Sequence, residues 1–203
     1  MKLAGILALG MASTAFAGGV ITLDFEGIGN LNAIGNYYDG GAGGNLGVQF
    51  VGNTLAIVDS DAGGSGNFAN EITPSTIMFF LTGNATIMNV PAGFINAFSL
   101  YYTSISATGS YAIYDGLNGT GNLLASDTLA PLGTTGGGGD PTGAFNRWAL
   151  RGTGFNGVAK SVVFGGVADQ IGFDNVVFGD IPAPGAAALA LAGLVGAARR
   201  RRA

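Results

Sequence analysis

The stretch Phe94-Ile95-Asn96-Ala97-Phe98-Ser99-Leu100-Tyr101-Tyr102-Thr103 decides how this chain folds. Phe98, Leu100 and Tyr102 fall on one side of an extended segment, and Ala97, Ser99 and Tyr101 on the other. Large apolar residues at every second position are the mark of a β-strand with one face in a core, and aromatic side chains suit a pleated surface.

Short runs of the same kind recur on both sides of it. Val20–Glu26 sets Ile21, Leu23 and Phe25 against Thr22, Asp24 and Glu26. Leu46–Phe50, Thr54–Val58, Thr76–Leu81, Ala85–Val90, Ser110–Asp115, Leu123–Leu129, Arg147–Arg151, Lys160–Phe164 and Gln170–Phe178 also read as strands. Gly, Asn, Asp and Ser fill the gaps, as in Gly52-Asn53 and Gly116-Leu117-Asn118-Gly119. About eleven strands are too many for one flat sheet, so the predicted fold is all-β: a two-sheet antiparallel β-sandwich, jelly-roll-like. No fixed period is visible, which argues against a solenoid or a propeller.

Composition removes whole classes of chemistry. The 203 residues include 38 glycines, no cysteine and no histidine. Without them there are no disulfides, no Ser-His-Asp or Cys-His catalysis, and none of the usual zinc or copper ligands. Carboxylate chemistry and hard-cation oxygen sites remain. Between Gly18 and Asp180 only Arg147, Arg151 and Lys160 are basic, against all twelve acidic residues, leaving a body charge of −9. Nucleic acid is therefore an unlikely partner, and a divalent cation or a neutral glycan is the better match.

The two ends read as addresses. Met1-Lys2 followed by apolar Leu3–Met11 and the small-x-small site Ala15-Phe16-Ala17 predicts a signal peptide over residues 1–17, a helix removed during Sec-dependent export. The body then spans 18–180. Residues 181–203 carry three parts: the motif Pro182-Ala183-Pro184, an apolar Ala/Leu/Gly/Val run to Ala198 that suits a hydrophobic helix, and the cluster Arg199, Arg200, Arg201, Arg202. Arginines in that position hold the cytoplasmic side and fix orientation. At ~1.5 Å per residue, eighteen residues make about 27 Å of helix, marginal against a ~30 Å hydrocarbon core and adequate for a temporary stop.

This tail resembles the PEP-CTERM sorting signal of bacterial surface proteins, with Ala183 where the family motif has Glu. The resemblance implies recognition by an exosortase-type membrane transpeptidase that removes the helix; a plain single-pass anchor is the alternative. The body, through Asp59–Asn70, Ser99–Ser104 and Ile171–Val176, also resembles the glycine-rich β-sandwich regions that accompany this signal. That second resemblance brings no activity with it.

Two carboxylate groupings are candidate calcium sites. In the loop after Thr54–Val58, Asp59 and Asp61 sit two apart, Gly63-Gly64 permits a sharp turn, and Asn67, Asn70 and Glu71 add oxygens. The pattern is an incomplete EF-hand, and the same residues equally make a solvated turn whose side chains bond their own backbone. Asp24 and Glu26 on the first strand form the second grouping with Asp174 on the last. If those strands are neighbours, the acids converge, and a cation or backbone donors must compensate their burial. Asp174-Asn175 capping a bulge or turn is the alternative there. Gly40–Asn45 is a weak single likeness to a calcium β-roll repeat.

Tyr37 and Tyr38, in a loop, are the candidate sugar-stacking residues; Trp148 is expected in the core. The expected function is therefore that of an exported, non-enzymatic surface or extracellular-matrix protein, structural or adhesive and close to exopolysaccharide. A carbohydrate-binding module stiffened by calcium is the second reading, and a carboxylate-dependent glycoside hydrolase the third.

Overall fold

The computed structural model describes residues 16–134 and 143–182. The signal helix with Ala15, the C-terminal helix, Ala183, Pro184 and Arg199 to Arg202 lie outside the described residues. Among the described residues no helix is long and apolar enough to cross a membrane.

Among the described residues twelve strands follow one another: β1 Phe16–Leu23, β2 Asp39–Gly41, β3 Gly44–Asn45, β4 Gln49–Val51, β5 Thr54–Val58, β6 Thr76–Phe80, β7 Ala85–Thr103, β8 Gly109–Tyr114, β9 Leu123–Leu129, β10 Ala149–Gly154, β11 Ala159–Gly165 and β12 Gly172–Pro182. They form two antiparallel sheets that share β7. One half of β7 pairs with β4 and β11, and β11 continues to β8 and β9. The other half pairs with β10 and β12, and β12 continues to β6 and β5. β1 lies against β12, so the first and last strands are neighbours. β2 and β3 make a separate small hairpin.

The strand of nineteen residues corrects the expectation of two, Ala85–Val90 and Phe94–Thr103. Asn89 pairs with Ser161 and Phe94 with Ala159, so Val90–Gly93 bulge out of the ladder without ending it. Pro91 lacks an N–H to give the ladder, and Gly93 takes a left-handed φ of 80°, which lets the strand turn from one sheet into the other.

Phe98, Leu100 and Tyr102 are buried, as their alternation predicted. Burying each is worth about 1.5–3 kcal/mol. Rings join the sheets across the middle: Phe98 meets Tyr111 at 5.1 Å and Phe164 meets Phe173 at 5.3 Å between centroids.

Three strand ends differ from expectation. β1 stops at Leu23 because Phe25 adopts φ 63° and swings its ring inward against Tyr38 and Phe50. β10 starts at Ala149, leaving Trp148 half-buried outside the strand, where its Nε1 donates to the Ala69 carbonyl at 3.0 Å. β12 runs past Asp180 to Pro182, a residue tolerated at a strand end.

Candidate functional site

β6 builds the floor of the site. In Thr76-Ile77-Met78-Phe79-Phe80 every side chain is buried. Met78 and Phe80 belong to the inter-sheet core. Ile77 and Phe79 point to the opposite face, beside Ile57 and Leu55 of β5, yet are only 3% and 4% exposed. A strand buried on both faces needs cover on its outer side.

The cover is two loops zipped side by side. Phe68 and Phe145 form a parallel bridge. Asn67 Oδ1 accepts from the Ala144 N–H at 3.0 Å, the Asn67 carbonyl accepts from Phe145 N–H at 3.1 Å, and Ala69 N–H donates back to the Phe145 carbonyl at 3.2 Å. Asn70 Nδ2 donates to the Asn146 carbonyl at 3.3 Å. At the other end Asn30 Oδ1 accepts from the backbone N–H groups of Val58 and Ser65, at 3.1 and 3.3 Å.

Between this wall and the turn before β12 lies a cleft of about 300 Å³. Its floor is Ile57, Ile77, Phe79 and Ile171, and its aromatic wall is Phe68 and Phe145. Ser65, Asn67, Asp169 and Gln170 bring polar groups to the rim. Asp169 sits at φ 60°, anchored by its N–H to the Phe80 carbonyl at 2.9 Å, and Gln170 Nε2 donates to the Asp169 carbonyl at 2.9 Å. Gly172 completes the floor: a Cβ there would lie 2.6 Å from Ile77 Cδ1. Concave, mostly apolar sites with a few convergent polar groups are where small ligands bind.

The residues singled out from the sequence distribute differently. Glu26 and Asp174 both meet the loop before β6, whereas the Asp24 carboxylate bonds the Glu26 N–H. Fully buried Asp174 accepts from Ile72 N–H (3.1 Å), Thr73 N–H (2.9 Å), Thr73 Oγ1 (2.8 Å) and Asn175 N–H (2.7 Å). Burial pushes its carboxyl above the usual range, and these donors pull it partly back. Glu26 accepts from Thr76 N–H at 2.8 Å and from the hydroxyls of Thr76 and Ser75 at 3.1 and 3.3 Å. Exposed Asp24 accepts from the Glu26 N–H at 3.3 Å, and its carbonyl takes the Thr73 hydroxyl at 3.2 Å.

In the Asp59–Glu71 loop the side chains part company. Asp59 is buried, with Oδ1 accepting from Ser60 N–H at 2.5 Å; Asp61 is exposed. Glu71 Oε1 accepts from Ser75 N–H at 3.2 Å, while Asn67 and Asn70 hold the Ala144–Asn146 segment. Among the described residues no group of three or more Asp or Glu side chains is arranged to hold a metal ion.

Tyr38 is a core residue instead of an exposed platform. It is 4% exposed, its hydroxyl accepts from the Phe25 N–H at 2.8 Å, and burial pushes its phenol up. Tyr37 is half-buried, edge-on to Tyr38 at 5.0 Å, with its hydroxyl donating to the Glu26 carbonyl at 2.9 Å. Both rings clamp the glycine-rich loop to the first strand, a role that adjacent tyrosines beside glycines do not announce.

The cleft was missed at the sequence level, although one signal pointed to it. Ile77-Met78-Phe79-Phe80 is unbroken by any polar residue, the pattern of a strand covered on both faces, and its cover had to come from a loop.

No protein-family model matches the sequence, and no curated protein matches it. Among solved structures, the K2 cleaved adhesin domain of Lys-gingipain is similar at 13% identity and a TM-score of 0.52, over 79% of this chain and 99% of that one. The K1 adhesin domain of the same protein, from Porphyromonas gingivalis W83, aligns at 13% identity and a TM-score of 0.46, over 78% and 96%. A carbohydrate binding module from Cellvibrio mixtus lichenase 5A, in complex with cellotriose, aligns at 13% identity and a TM-score of 0.34, over 63% and 86%. The first likeness shows a shared β-sandwich fold and nothing further; the two lower scores carry no argument.

Proposed function

We propose that this chain is a non-catalytic, exported β-sandwich of the cell surface or extracellular matrix, a jelly-roll-like adhesive module that holds a saccharide in the cleft over β6. The observation that carries this reading is the cleft itself, with aliphatic and aromatic side chains below and behind and a carboxylate, two amides and a hydroxyl at the rim. Sugars ask for that combination, since their C–H faces lie on apolar surface while their hydroxyls need directed partners. Its sandwich is the fold of a protein whose name describes an adhesin domain.

The rim argues against hydrolysis. Glycosidases place two carboxyl groups roughly 5–9.5 Å apart across the scissile bond, whereas Asp169 is the one acidic residue among the described residues that line the cleft. The tail supplies the route to the surface: Pro182-Ala183-Pro184, an apolar run and four arginines resemble a signal read by an exosortase-type enzyme after Sec export.

Full-length protein applied to a glycan array or to insoluble polysaccharides should be retained by at least one neutral glycan. Phe145→Ala and Asp169→Ala should abolish retention, and Tyr37→Phe, outside the cleft, should leave it intact. Retention untouched by both cleft variants would refute the assignment. Turnover of any polysaccharide, lost on changing Asp169, would replace the adhesive reading with an enzymatic one.

A further inference from the structure

We infer that the cleft selects uncharged sugar rings and rejects uronic acids; the inference rests on the saccharide reading above and adds the charge class of the ligand. Its ground is the charge at the rim, a lone carboxylate with no basic residue lining the cleft, beside the hydrogen-bonding groups left once internal bonds are subtracted. Asn67 Oδ1 is already taken by the Ala144 N–H, so what Asn67 has left to offer is its Nδ2 donor. Gln170 Nε2 gives one N–H to the Asp169 carbonyl, leaving its second N–H as a donor and Oε1 as an acceptor. Ser65 Oγ is within hydrogen-bond distance of Asn30 Nδ2 at 3.0 Å and of Asn30 Oδ1 at 3.2 Å. Asp169 contributes only acceptor oxygens when ionised.

The rim therefore keeps N–H donors on Asn67 and Gln170 as well as acceptors, and its one formal charge is the negative Asp169, which suits hydroxyl groups able both to donate and to accept. A carboxylate can only accept, and in a partly desolvated site it asks for a cation beside its N–H donors. None of the three basic residues of the body, Arg147, Arg151 and Lys160, lines the cleft, and the surrounding body carries −9. Desolvating a uronate beside Asp169 would place two like charges together with no compensating partner. At about 300 Å³ the site is at the small end for ligand pockets, so it should hold about two rings at most.

The test is calorimetric titration of the full-length protein with a neutral hexose trisaccharide and with a trisaccharide of uronic acids, each at low and at high salt. The neutral ligand should bind with an affinity indifferent to salt. The uronate should bind at least about tenfold more weakly at low salt, with the gap closing as charge is screened. Asp169→Asn, which tolerates the left-handed backbone as well as Asp does, should narrow that gap by admitting the uronate. A uronate bound as tightly as the neutral sugar, or a gap unchanged in Asp169→Asn, overturns the selectivity while leaving saccharide binding in place. Failure of both ligands, and of every neutral glycan on the array, would instead remove the saccharide reading on which the selectivity rests.

Discussion

Asp174 shows most clearly what a single residue does here. A carboxylate on the last strand holds down the loop that precedes β6 through two backbone N–H groups and a hydroxyl, and also accepts from the Asn175 N–H beside it. Asp174→Ala would leave those donors buried without their acceptor, and should cost roughly 3 kcal/mol in denaturant unfolding. The pH dependence has a defined sign. Because burial raises the carboxyl in the folded state, the native protein takes up this proton at a higher pH than the unfolded chain does. The stability contributed by Asp174 therefore grows as pH falls through its folded pKa and levels off below its unfolded one. The gap between wild type and Asp174→Ala should widen over that interval; a gap that narrowed there would contradict the assignment. The sequence had named Asp24, Glu26 and Asp174 as converging acids and left open a cation or backbone donors as their compensation. Backbone N–H groups of Ile72, Thr73 and Thr76 give hydrogen bonds to Asp174 and Glu26.

Among the elements, β7 matters most, since both sheets depend on it. Its bulge at Val90–Gly93 carries the chain around the corner, and Gly93 is the residue that permits this. Its φ of 80° is unfavourable for any side chain, and a Cβ there would run into Val158. Gly93→Ala should lower stability by about 1–3 kcal/mol through backbone strain and contact together. Adding Val158→Ala should recover the contact part only, leaving the strain, as a double-mutant cycle would resolve. The sequence predicted both halves of β7 as strands, and alternation predicted the buried face of the second. It did not predict their continuity, because Pro91-Ala92-Gly93 is also how a turn between two strands is written. The same ambiguity hid the role of β6: an all-apolar pentapeptide announces burial on both faces without saying which distant loop supplies the second cover.

At the largest scale, the described body is a sandwich whose first and last strands are neighbours. Cleavage after Ala17 would keep Gly18–Leu23 of β1, and trimming near Pro184 would keep all of β12, which ends at Pro182. Removal of both signals should therefore leave the paired strands in place. Mass spectrometry of protein from the surface of its native host should find termini near Gly18 and Pro184. A surface protein still ending at Arg202-Ala203 would favour the plain membrane anchor. By itself the sequence determined the all-β class, the absence of histidine and cysteine chemistry, the acidic body and the position of most strands, because strand periodicity and composition are local properties of a chain. Tertiary structure alone decided that Tyr38 is core, that Asn67 and Asn70 fasten one loop to another, and that Asp169 and Phe145 face a common cleft. Those facts depend on which segments far apart in the chain come to lie side by side, and no local pattern records that.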